Sequence, residues 1–72
     1  MDLSKIKNLE TDTNNGAEFT YGSSRFRVGL GKKSCGCGVT LKKLEGTEED
    51  MIEILRYGIQ NLITWFRKEG LL

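Results

Sequence analysis

The chain has 72 residues, 38% of them hydrophobic and 29% charged, with a formal net charge of +1 and no histidine. That length makes one domain near the lower limit for folding on a single core, and the composition excludes disorder throughout. No apolar run approaches the ~20 residues that span a bilayer, and Met1-Asp2-Leu3-Ser4-Lys5 lacks the apolar segment of a secretory signal, so a cytoplasmic protein with no membrane contact is expected.

Residues 1–16 form a polar N-terminal segment ahead of a single domain over 17–72. Leu3, Ile6 and Leu9 recur every third residue, which fits a short helical turn. Asn15-Gly16 is a hairpin signal. A two-residue turn there sets Asp12 opposite Phe19 and Glu10 opposite Tyr21, which puts acids on a core face. Residues 10–16 therefore read as a loop, mobile or otherwise.

The next turn passes the same register test. With Gly22-Ser23 at the turn, Tyr21 faces Ser24, Phe19 faces Phe26 and Ala17 faces Val28 on one side. Thr20 meets Arg25 and Glu18 meets Arg27 on the other. A hairpin of 17–21 with 24–30 follows. A third strand over 38–44 places Val39 and Leu41 inward, opposite Leu30 and Val28, and sets Lys42 opposite Arg27. Thr47 is a helix N-cap with Asp50 at the capping-box position and acids in the first turn. Ile52, Leu55, Ile59, Leu62 and Phe66 recur at 3-4-3-4 spacing up to Gly70, the expected C′ residue. The predicted fold is α+β: a three-stranded antiparallel β-meander packed against one long C-terminal α-helix, β-β-β-α.

On a helical wheel the apolar face spreads to about half the circumference through Ile54, Gly58 and Trp65. Glycine inside a helix costs about 1 kcal/mol relative to alanine, which a closely approaching backbone would explain. Met51, Ile54, Gly58 and Trp65 are thus candidate interface residues for a homo-oligomer or an apolar partner. The alternative is that Leu3, Ile6 and Leu9 cover this flank within one chain.

Charge is unevenly spread. From Phe19 to Leu44 the chain carries six cations (Arg25, Arg27, Lys32, Lys33, Lys42, Lys43), five glycines and both cysteines, but no acid. The rest carries all ten acids against five cations, a net of −5. The P-loop pattern fails, because it requires glycine at Phe26 and serine or threonine at Lys33. Lys32, Lys33 and Ser34 among glycines still suit a phosphate, with Arg25, Arg27 and Lys42 on the outer sheet face. The competing reading is a solvated face with Glu18-Arg27 as an ordinary surface pair.

Cys35-Gly36-Cys37 is too short for an unstrained disulfide and supplies two metal ligands, so a zinc site requires the same pair from a second subunit. Free thiols and redox-active thiols are the other readings. No nucleophile–base–orienter set is present, so no enzyme activity and no cofactor are expected. Gly38-Val39-Thr40-Leu41 followed by a capped helix resembles the coactivator-type single-stranded-DNA-binding dimers, which are β-rich with one C-terminal helix; their sheet has a fourth strand not expected here. The expected function is a small non-enzymatic protein that holds a phosphate-bearing ligand, a nucleotide or nucleic acid, as some phage-encoded sequestering proteins do. The alternative is a protein–protein inhibitor or adaptor acting through the helix flank.

Overall fold

A computed structural model describes residues 1–11, 16–31 and 38–72. Four strands, β1 (Ile6–Thr11), β2 (Gly16–Tyr21), β3 (Ser24–Leu30) and β4 (Val39–Glu45), form an antiparallel sheet in the order β1-β2-β3-β4. Two helices follow, α1 (Glu48–Tyr57) and α2 (Ile59–Lys68). The α+β class and the meander hold, and the strand count and the single helix need correction.

The hairpin of β2 and β3 has the expected register: Ala17 pairs with Val28, Glu18 with Arg27, Phe19 with Phe26, Thr20 with Arg25 and Tyr21 with Ser24. Strand β4 also docks as expected, with Leu30 against Val39, Val28 against Leu41 and Arg27 against Lys42. Alternation along these strands sets Ala17, Phe19, Tyr21, Phe26 and Val28 on the buried face.

The N-terminal segment holds a 3-10 turn at Leu3–Lys5, capped by Asp2, and then the unexpected strand β1. Glu10 and Thr11 thus lie in a strand rather than a loop, while residues 12–15 fall outside the described residues. The register test failed because it assumed a two-residue turn and strict alternation. In the structure Glu10 pairs with Glu18 and Thr11 with Ala17, which requires a longer connection. The register also shifts between Lys7 and Glu10, where Asn8 adopts φ 55. Asparagine tolerates that left-handed conformation better than most residues. The shift lets Ile6 and Leu9, three residues apart, both pack on the core, which an unbroken strand would forbid.

The C-terminal helix is interrupted at Gly58, with φ 101 and ψ 126, which is outside helical space and disfavoured for any residue with a Cβ. Its amide donates to the Ile54 carbonyl at 3.0 Å, closing α1, and its carbonyl accepts from the Leu62 amide at 3.0 Å, opening α2. Gly58 is therefore a joint rather than an interior glycine under a neighbouring backbone. The joint rotates the helical phase. Helix α2 buries Leu62, Ile63 and Phe66, as the stripe requires, but α1 buries Ile54 and leaves Ile52 and Leu55 47% and 49% exposed. At the far end Gly70 has φ 73; its amide donates to Arg67 and that of Leu71 to Phe66, a Schellman closure.

Phe66 meets Phe19 edge-on at 5.5 Å and Phe19 meets Phe26 at 5.8 Å, joining α2 to the sheet. Helix α1 is fixed by a polar contact. Buried Ser24 donates to Asp50 Oδ2 at 2.5 Å and accepts from the Thr47 amide at 3.0 Å. Thr47 caps the Asp50 amide at 3.4 Å, but the Asp50 carboxylate turns to Ser24 instead of returning to Thr47. Half of the expected capping box forms, and the other half becomes a tie to the hairpin.

Tyr21 is buried, and its phenol oxygen accepts the Asp2 amide at 3.1 Å. Burial raises its pKa above the ordinary value, and the hydrogen bond it gives Glu53 acts the same way. A group whose pKa is raised on folding keeps its full contribution below the unfolded pKa and loses it as pH rises through the folded one. The stability difference between wild type and Tyr21→Phe should therefore stay flat up to about pH 10 and shrink above it. Urea titrations of both proteins across that range measure this.

Candidate functional site

The outer face of the sheet carries Glu18 and Thr20 on β2, Arg25, Arg27 and Gly29 on β3, and Thr40 and Lys42 on β4. Its charges are arranged in two parts. At one end Arg25 donates to Thr20 Oγ1 at 3.1 Å and lies 3.5 Å from Glu18 Oε1 and 3.7 Å from Glu10 Oε2. Glu18 also reaches Arg27, at 3.5 Å. One carboxylate thus bridges two arginines and a second carboxylate arrives from β1. These groups are part-exposed, so each pair is worth at most about 1 kcal/mol, but together they offset the positive charge of Arg25.

The end nearer the connection between β3 and β4 differs. Lys42 is exposed and stands opposite Arg27, a like-charge cross-strand pair. No ion pair involving Lys42 occurs among the described residues. One step further, Gly16, Gly29 and Thr40 form a row across three strands. A Cβ on Gly16 would lie 2.6 Å from Arg27 Nη2, and one on Gly29 would lie 2.6 Å from Thr40 Oγ1. The missing side chains let the guanidinium and the hydroxyl fold down over bare backbone. The row leads to the stem of the β3–β4 connection, where a Cβ on Gly38 would sit 3.6 Å from Gly31 Cα.

Of the expected ligand residues, the structure thus brings Arg25, Arg27 and Lys42 to one face. Lys32, Lys33 and Ser34, with Cys35 and Cys37, lie outside the described residues. Sequence reasoning missed Glu10 as an Arg25 partner because β1 was not seen, and missed the Gly16–Gly29 pair because the expected hairpin began at Ala17, one residue short of the observed β2. The signal for β1 was the three-residue spacing of Ile6 and Leu9 about an asparagine.

The expected interface residues are dispersed. Ile54 is wholly buried in the core of its own chain, Gly58 is the helix joint, and Met51 and Trp65 are half-buried against the core. Beside Trp65 a shallow open groove is lined by Tyr57, Asn61, Thr64 and Lys68. Among the described residues, no group of His, Cys, Asp or Glu is placed to hold a metal, and no helix is long and apolar enough to cross a membrane.

No protein-family model, curated protein or solved structure matches this chain.

Proposed function

We propose that this is a non-enzymatic protein that binds a phosphate-bearing ligand, a nucleotide or a nucleic acid, at the loop end of the outer sheet face. The observation that carries the reading is the pairing of Arg27 with Lys42 beside the glycine row. Glu18 offsets part of the Arg27 charge, Lys42 adds a second cation directly across from it, and an anion spanning the two strands would balance that excess. Bare backbone next to them permits close approach. The connection that follows adds Lys32, Lys33 and Ser34 by sequence, with no acid between Phe19 and Leu44. Arg25 contributes less, because Glu10 and Glu18 already oppose it.

The test is titration of a nucleoside triphosphate and of a single-stranded oligonucleotide, followed by calorimetry. Lys42→Glu, and separately Lys32→Glu with Lys33→Glu, should each weaken binding about tenfold, near 1.4 kcal/mol, without altering the circular dichroism spectrum. Unchanged affinity in both variants overturns the reading. Oligonucleotide binding should also fall steeply between about 50 and 200 mM salt. A second reading, an adaptor surface on the helix flank, is favoured by the groove between Tyr57 and Trp65. In that case Trp65→Ala removes partner binding and the Lys42 and Lys32/Lys33 variants retain it.

A further inference from the structure

The outward side of α1 is unusual for a surface helix in so small a domain. Ile52 and Leu55 are about half exposed, one helical turn apart, although the same helix commits Ile54 to the core. They form a short apolar seam along the helix. On one margin of that seam stand Glu49 and Arg56, seven residues apart and therefore nearly in line along the axis. Both are exposed, and no ion pair joins either to another described residue. The other margin holds Met51.

We infer that this face is the contact between two copies of the chain, arranged as an antiparallel α1–α1 pair about a two-fold axis. The charge pattern selects both partner and direction. In the antiparallel arrangement Ile52 of each copy packs on Leu55 of the other, and Glu49 of each meets Arg56 of the other. Every contact occurs twice, as an isologous interface requires. A parallel arrangement about a two-fold axis instead sets the Glu49–Arg56 margin of each helix across from the Met51 margin of the other, which leaves both charges without a partner in the contact. The antiparallel pair also brings the acidic first turn of each helix, Glu48 and Glu49, toward the end of the other that carries Arg56. The helix has 10 residues, so the contact falls in the small, reversible class of interfaces and the equilibrium depends on concentration. This contact is separate from the outer sheet face and does not depend on the proposed ligand.

Sedimentation velocity between about 1 µM and 1 mM tests the pairing, a span matched to free energies of about 8 to 4 kcal/mol. Wild type should move from monomer to dimer across that range. Leu55→Lys, on an exposed position that the fold does not need, should weaken association at least about tenfold, near 1.4 kcal/mol. Glu49→Arg alone and Arg56→Glu alone should each weaken it, and the double variant Glu49→Arg with Arg56→Glu should restore it, because the swapped pair regains complementarity. A chain that stays monomeric at 1 mM overturns the inference, as does a dimer that survives Leu55→Lys. Failure of the double swap to restore association overturns the antiparallel arrangement. Circular dichroism of each variant separates loss of pairing from loss of fold.

Discussion

Gly46→Ala is expected to leave most of the protein unfolded at room temperature. Gly46 links β4 to the N-cap of α1 and adopts φ 108, a conformation that residues with a Cβ rarely enter. Such strain costs about 1–3 kcal/mol. The added methyl would also collide with Ser24, lying 2.5 Å from its Cα, so backbone as well as side chain must move. Forced repacking of that kind adds about 1–3 kcal/mol. Ser24 is the residue that ties the hairpin to Asp50 and to the Thr47 amide, so the displacement breaks a buried polar contact at the same time. A domain of this size has only about 3–5 kcal/mol to lose. The control is Gly70→Ala, which has φ 73 but nothing within 4 Å of the new methyl; it should cost about 1–2 kcal/mol, the left-handed penalty alone. Urea denaturation of both variants measures the difference. Equal losses would show that the close approach to Ser24 contributes nothing.

The contrast between those two glycines bears on what a sequence reader can see. Gly70 was legible, because a glycine after an apolar stripe is a helix stop whose reason is local. Gly46 was legible only as the residue before a cap; its collision with Ser24 arises from residues 22 positions apart. The same division runs through the fold. The pairing of β2, β3 and β4 followed from alternation, since a one-residue slip would move Phe19, Phe26 and Val28 to the solvent side. Strand β1 was hidden because its register shift at Asn8 converts a period of two into a spacing of three, and that spacing belongs equally to a helical turn. The outer face inherited the error. Arg25 read as an available cation until β1 brought Glu10 beside it. Lys42 opposite Arg27 was derivable from register alone, and Lys42 is the cation there for which no ion pair occurs among the described residues, whereas Arg27 meets Glu18.

Helix phase provides the sharpest test of that argument. Ile54→Ala should destabilise the protein by about 2–5 kcal/mol, whereas Leu55→Ala should change stability by no more than about 0.5 kcal/mol when both are measured at low micromolar concentration. A continuous helix over 48–69 predicts the reverse, because it carries Leu55 on the core stripe with Ile59, Leu62 and Phe66 and turns Ile54 to the flank. The joint at Gly58 decides between them. Once the backbone leaves helical space there, α1 and α2 need not share a phase, and each turns its own apolar side inward. Ile54 is then wholly enclosed with Phe19, Phe26, Leu62 and Phe66, and truncating it opens a cavity in that core cluster. Leu55 loses half-exposed surface and no packed neighbour of comparable burial. Helix propensity does not separate the two, since alanine is the better helix former at both sites. A larger loss at Leu55 than at Ile54 would mean that the helix runs straight through Gly58, and the exposed seam of Ile52 and Leu55 would then belong to the core.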